Sequence, residues 1–343
     1  MNGIYFPGLG ISFDNVPKGF HIGSFFLPLY AVVITTGFIL AYFVSLKEAK
    51  RTGQDDETYL DFFIAMVLPS IIGARIYYII FNLDRFVADG KSFGQTLLDM
   101  VNIRNGGLGI YGGLIVGTIT ALIFCRVKKV RLPLLADTVT MGVLIGQILG
   151  RWGNFFNREC FGAYTSSVFR MAIPEGYYNT SFYNEMVRDG IITSQMQANT
   201  EMVNGVSCIT VHPTFIYEGL WNLMLLVIIF FYRKHKKFDG ELAMLYVAGY
   251  GVGRFIVEAL RTDSLMIGSF KISQVVAILC IIIAVAVIIY NRVRISRIPV
   301  SNVGKAAISH DESGKEMEKN TTIQEKNGGE VGKDTTSQEK SYK

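Results

Sequence analysis

Two short stretches of this chain set guanidinium, carboxylate and amide side chains among strongly apolar neighbours. In "GRWGNFFNREC", Arg151, Asn154, Asn157 and Glu159 alternate with Trp152, Phe155 and Phe156, directly after the apolar run "TVTMGVLIGQIL". In "YGVGRFIVEALR", Tyr250, Arg254 and Glu258 recur at i, i+4 and i+8, with Arg261 three residues further on. On a helix that spacing stacks the three on one face. Gly249, Gly251 and Gly253 keep this helix thin, which admits a close neighbour or a bound ligand. Arginine stays charged and presents a planar fork of donors that suits phosphate. Arg151 and Arg254, reaching one level from two helices, therefore suit an anionic phospholipid headgroup. Asn154 and Asn157 add neutral donors for ester or glycerol oxygens. Glu159 and Glu258 orient the arginines or move a proton. The same residues also fit a structural Arg–Glu pair that only holds helices together.

Seven apolar stretches are long enough, or nearly so, to cross a bilayer, at roughly 25–46, 60–82, 107–126, 133–152, 212–232, 241–261 and 270–291. The fourth is diluted at its start by Asp137, Thr138 and Thr140. Basic clusters follow the first span ("SLKEAKR"), the third ("RVKKVR"), the fifth ("YRKHKK") and the seventh ("NRVRISR"). If the spans alternate in direction, these clusters share one side, which the positive-inside rule makes the cytoplasm. The expected fold is an all-α polytopic membrane protein with its N-terminus outside and its C-terminus inside. Residues 1–24 form an extracytoplasmic segment and 25–296 the seven-helix catalytic domain. Within that domain, 155–211 forms a small extracytoplasmic cap with short strands. Residues 297–343 are polar and nearly repeat TTIQEK as TTSQEK; they read as a disordered cytoplasmic tail.

Depth along the spans sharpens the site. Tyr30, Arg75, Tyr111, Arg151, Asn154, His212, Glu218, Arg254 and Glu258 come from six spans and fall near one level, toward the outside. Ionisable groups within a bilayer normally face a cavity, so a shared polar chamber opening to the outer leaflet is expected. Arg75 can instead snorkel to the interface.

Half of the 343 residues are hydrophobic, too many for a soluble domain of this length, which makes a membrane protein the leading class. The net charge of +5 is modest and no basic patch interleaves with aromatics, so no nucleic-acid partner is expected. No CxxC or CxxH spacing supports a metal, and no GxSxG or HExxH motif supports a serine or metallo-hydrolase. Cys125 and Cys280 lie in apolar runs. Cys160 and Cys208 share one polar loop, and a bond between them is open if that loop is oxidised. "GLGIYGG" lacks the Lys-Ser/Thr of a phosphate loop. The N-terminus has no cleavable signal pattern.

"GRWGNFFNRECFG" resembles the signature of bacterial prolipoprotein diacylglyceryl transferases, close to G-R-x-G-N-F-x-N-x-E-x-x-G. "FLPLYAVVITTGF", "IIGARIYYIIFN", "YGGLIVG", "VHPTFIYEGLWN" and "GYGVGRFIVEALRTD" are similar to that family too, in order over about residues 10–295. The resemblance implies transfer of an sn-1,2-diacylglyceryl group from phosphatidylglycerol to the lipobox cysteine of a prolipoprotein, in the bacterial cytoplasmic membrane and without a cofactor. It implies site residues at Tyr30, Tyr111, Arg151, Asn154, Glu159, Gly162, Tyr250, Arg254 and Glu258, with donor binding on Arg151 and Arg254. Many members carry His where this chain has Tyr111, and a tyrosine near pKa 10 is a poor proton acceptor. His212 and Glu258 remain as acceptors, although His212 also fits a role as anchor of the HPT turn. A transporter or flippase for an anionic lipid also wants membrane arginines; against it, the chain has no internal repeat and its polar groups favour one side.

Overall fold

The computed structural model describes residues 2–87, 92–103, 106–268 and 270–297; the expected tail at 298–343 lies outside them. The chain divides into two units, Met1–Ile288 and Ile289–Lys343. In chain order the first unit has strands β1 (Ile4–Phe6), β2 (Ile11–Phe13), β3 (Gly19–Ile22) and β4 (Phe25–Pro28). Helices α1 (Leu29–Arg51), α2 (Asp56–Phe81), α3 (Leu83–Phe86), α4 (Phe93–Val101), α5 (Ile110–Lys128) and α6 (Leu132–Asn157) follow. Next come β5 (Met171–Pro174), α7 (Thr180–Arg188), α8 (Ser194–Ala198), β6 (Glu201–Val203) and β7 (Val206–Val211). Then come α9 (Thr214–Tyr232), α10 (Glu241–Leu260), β8 (Met266–Ile267), β9 (Phe270–Lys271) and α11 (Ile272–Ser296), which runs on into the second unit. Seven of these helices, α1, α2, α5, α6, α9, α10 and α11, are long and apolar enough to cross a membrane.

The helical spans match the seven expected stretches, with two instructive shifts. The first begins at Leu29 because Phe25–Pro28 pairs with Gly19–Ile22 as a hairpin. The fourth runs to Asn157, so the polar motif is the last two turns of a helix and not the loop after it. Apolarity fades there, but helical hydrogen bonding does not.

Asp137, which diluted the fourth span, has a structural task. Helix α10 starts at Gly240 with no side-chain cap of its own. Asp137, on α6, accepts from Gly240 N at 2.9 Å and Ala243 N at 3.0 Å and pairs with Lys236 at 2.9 Å. A carboxylate at a helix N-terminus satisfies free N–H groups and suits the dipole. The far end of α10 is held likewise by Lys271, whose Nζ donates to the carbonyls of Glu258 and Arg261, each at 2.7 Å. Both ends of the helix that bears Arg254 are therefore fixed by oppositely charged side chains from other elements.

A five-stranded antiparallel sheet, ordered β2-β1-β5-β7-β6, sits at the end of the bundle where α6 ends and α9 begins. Its first two strands come from the N-terminal segment. Alternation along β5 separates two apolar surfaces. Met171 and Ile173 face Ile209, Val211 and Phe161 on one side, and Ala172 packs with Tyr5 and Cys208 on the other. Arg158 ties this cap to α6. It is buried in a left-handed conformation (φ 49°), donates to the carbonyls of Asn2, Val16 and Phe156, and lies 4.0 Å from the centre of the Tyr177 ring.

Snorkelling does not describe Arg75. Its side chain is buried and donates to five backbone carbonyls, those of Asp99, Met100, Asn102, Gly106 and Gly107, at 2.7–2.9 Å. It clamps the end of α4, Asn102 and the Gly106–Gly107 pair to α2. Hydrogen bonds from a charged donor contribute about 1.5–3 kcal/mol each. Arg75→Met is therefore expected to raise amide hydrogen exchange across residues 93–103 and 106–109 by at least about tenfold; exchange at the wild-type rate would show that other contacts hold the segment.

Candidate active site

The charged centre is assembled from three helices that meet below the cap. Helix α6 brings Arg151 and Asn154, α9 brings Glu218 one turn inside its start, and α10 brings Tyr250, Arg254 and Glu258. Glu218 is the hub. Its Oε1 lies 2.5 Å from Arg151 Nη2 and accepts from the Tyr250 hydroxyl at 3.4 Å, and its Oε2 lies 3.5 Å from Arg254 Nη1. Arg254 Nη2 is 2.5 Å from Glu258 Oε2. Glu218 and Glu258 are each 1 % exposed, so the four charges sit in a poorly screened environment. The Arg254 contacts are ion pairs without hydrogen-bond alignment: among the described residues, Arg254 Nη1 and Glu258 Oε2 have no hydrogen-bond partner. A buried guanidinium donor thus remains open to an incoming acceptor.

A second arm runs from Arg151 toward the cap. Arg151 Nη1 donates to Asn154 Oδ1 at 3.3 Å, and Asn154 Nδ2 donates to Glu159 Oε1 at 3.0 Å, as Asn157 Nδ2 does at 3.3 Å. Tyr30 lies against Gly153, where a Cβ would come within 2.8 Å of the tyrosine ring. Gly162 joins the motif to the other two helices. Its N–H donates to the His212 carbonyl at 3.0 Å and it bridges to Arg261, while Ala163 N donates to the Leu260 carbonyl at 2.7 Å. A Cβ on residue 162 would stand 2.8 Å from His212 Cβ and 2.9 Å from the Leu260 carbonyl. Neither atom is a flexible side-chain end, so Gly162→Ala must push the motif away from the end of α10. The expected result is a loss of about 1–3 kcal/mol, the usual cost of overpacking, read as a lower midpoint of thermal unfolding together with reduced turnover.

Two expected site residues stand outside this network. Tyr111 begins α5, with its hydroxyl 3.4 Å from Ser273 Oγ on α11 and its ring 6.1 Å from that of Tyr77. His212 belongs to the backbone splice with Ala163, and its Nδ1 lies 3.3 Å from the Tyr217 hydroxyl. Burial pulls the His212 imidazole below its ordinary range, which favours the neutral ring. Arg261 is engaged elsewhere, in a two-pronged pair with Asp263 at 2.8 and 2.6 Å. Cys160 and Cys208 are free thiols rather than a disulfide. Burial raises both, Cys208 to about 11, and for Cys160 the nearby Arg261 offsets part of that rise.

Glu218 lay among the polar groups at the chamber depth but drew no role from the sequence. Its signal is an acid inside the apolar run "TFIYEGLWN", which has to find a cationic partner. Two turns and more further from the cap than this charged layer, an apolar cluster that includes Met141, Leu144, Leu225 and Leu242 closes the three-helix space.

Fold and site together define a multi-pass membrane protein with a buried charged centre built between its helices. The family model for prolipoprotein diacylglyceryl transferase matches residues 17–290. The chain belongs to that family, and it is a transferase of lipoprotein maturation. It is 38 % identical over 281 residues to a phosphatidylglycerol–prolipoprotein diacylglyceryl transferase of Listeria monocytogenes, covering 82 % of this chain and 91 % of the relative. An enzyme of the same name from Clostridioides difficile is 34 % identical over 253 residues, covering 74 % and 86 %. Another, from Streptococcus uberis, is 34 % identical over 278 residues, covering 80 % and 95 %.

Proposed function

We infer that this protein transfers the sn-1,2-diacylglyceryl group of phosphatidylglycerol to the lipobox cysteine of prolipoproteins. It does so in the bacterial cytoplasmic membrane, from a chamber facing the outer leaflet. The convergence of Arg151 and Arg254 on the single carboxylate of Glu218 carries this reading. Two guanidinium forks that reach one carboxylate also reach one phosphodiester. The apolar cluster beyond the polar layer speaks against a transporter, which needs a polar path through the membrane.

In the reaction, the cysteine sulfur attacks C3 of the diacylglycerol moiety and the C3–O bond breaks. The bonding pair stays on oxygen, and glycerol phosphate leaves with an added negative charge that Arg151 and Arg254 stabilise. As the glycerol phosphate departs as a dianion, bulk water takes up the thiol proton. Glu258, whose Oε2 is paired with Arg254 but accepts no hydrogen bond among the described residues, relays it. Tyr250 and Glu218 orient the arginines, Asn154 and Glu159 hold Arg151 from the other side, and Tyr30 and Gly162 shape the motif around the donor. Tyr111 and His212 take supporting places at the edge of the chamber.

The test is incubation of the purified full chain with labelled phosphatidylglycerol and a lipobox peptide. The peptide should gain the mass of one diacylglyceryl group, and a Cys→Ser peptide should gain none. No gain on the cysteine peptide would refute the assignment.

A further inference from the structure

One helical turn further from the cap, each of the three site helices repeats a polar side chain beneath a member of the charged layer. Gln147 lies four residues before Arg151 on α6, Asn222 four residues after Glu218 on α9, and Tyr246 four residues before Tyr250 on α10. This second layer is neutral. Gln147 Nε2 donates to the Tyr246 hydroxyl at 2.7 Å, and the Tyr246 ring stacks on Tyr250 at 5.7 Å. Asn222 is 0 % exposed, and among the described residues neither its Oδ1 nor its Nδ2 has a hydrogen-bond partner; Gln147 Oε1 also has none there. Three unpaired amide atoms in a helical span are costly to bury. Beneath them the next turn of each helix is apolar, with Leu144, Leu225 and Leu242. The unpaired amides thus lie between the charged layer and an apolar one, and not along a continuous polar passage.

We propose that Asn222 and Gln147 form a subsite for hydroxyl groups below the arginine pair, which reads the polyol headgroup of the phospholipid donor. The proposal rests on the reading of that donor as a phosphodiester held by Arg151 and Arg254. Four residues of helix rise about 6 Å, the reach of a three-carbon headgroup from its phosphate. An amide carries both donors and an acceptor, and a hydroxyl does both as well, so Asn222 and Gln147 Oε1 match a glycerol headgroup. Among the described residues, the layer of Gln147, Asn222 and Tyr246 offers an ammonium headgroup no carboxylate and stands close to two guanidinium groups. The layer therefore selects against ethanolamine lipids as well as for glycerol.

The experiment compares phosphatidylglycerol with phosphatidylpropanol, a diester of equal charge and headgroup length that lacks the hydroxyls. The purified full chain and its Asn222→Leu and Gln147→Leu variants are assayed for transfer to a lipobox peptide. Native mass spectrometry separately reads how well each lipid is retained. Wild type should favour phosphatidylglycerol by at least about tenfold in both readouts, the worth of one lost hydrogen bond to a buried partner. In either variant that ratio should fall toward one. A wild-type ratio near one, or a ratio that persists in both variants, overturns the subsite. Transfer from neither lipid with discriminating retention supports the subsite and rejects the transferase reading. Retention of neither lipid rejects the donor and the subsite together.

Discussion

Replacing Arg254 with lysine lowers kcat/KM for diacylglyceryl transfer by at least about 100-fold while the protein still folds, the size of loss seen when one preorganised donor to developing charge is removed. The geometry explains why a conserved charge is not enough. Arg254 turns one guanidinium nitrogen toward Glu218 and the other toward Glu258. An ammonium group is a single point and cannot face both acids while also meeting a phosphate oxygen. The charge it must stabilise grows as the C3–O bond breaks, so the loss should appear in kcat as well as in kcat/KM. Arg151→Lys should behave alike, because Arg151 binds Glu218 through Nη2 and Asn154 through Nη1. The double variant should cost less than the sum of the two, since both forks serve one anion. Steady-state kinetics with phosphatidylglycerol and a lipobox peptide, alongside thermal unfolding in detergent, decide the point. An Arg254→Lys enzyme within threefold of wild type would remove the phosphate from this site.

The parts of this architecture that were legible in the sequence are those set by local composition. Seven apolar runs gave seven helices, and the i, i+4, i+8 spacing of Tyr250, Arg254 and Glu258 did place them along one helix that meets Arg151. Long-range pairing was not legible. Nothing in "IYF" announces that Tyr5 aligns with Ala172, since a strand's partner lies in neither its own alternation nor its turns. Arg75 and Asp137 show the same limit from the other side. Each reads as a blemish in a span, and each serves an element far away in sequence, the segment before α5 and the start of α10. Glu218 was visible as a residue but not as a hub, because its meaning depends on two arginines supplied by two other helices. The open amides of Asn222 and Gln147 could not be read at all, for an unpaired atom is a property of the packed interior.

Glu218→Gln separates the two tasks that this hub performs. In the wild-type centre two guanidinium groups face two carboxylates, so the buried charges balance. Glutamine keeps the shape and an acceptor for Arg151 but removes one negative charge. Leaving a buried charge without its partner costs about 3–5 kcal/mol, so the lipid-free variant should unfold at a distinctly lower temperature than wild type. An anionic diester then supplies the missing charge. Because a ligand that binds only the folded state stabilises it in proportion to its affinity, phosphatidylglycerol should recover more stability in the variant than in wild type, and a zwitterionic lipid should not. Tighter hold on the donor is not faster chemistry. Glycerol phosphate, more negative than the donor, is held more tightly still, so KM for phosphatidylglycerol and kcat should fall together. Thermal unfolding titrated with each lipid, set beside steady-state kinetics, reads both effects. A lipid-free variant as stable as wild type would mean that Glu218 is not the counter-ion that keeps Arg151 and Arg254 together, and the convergence of the two forks would need another cause.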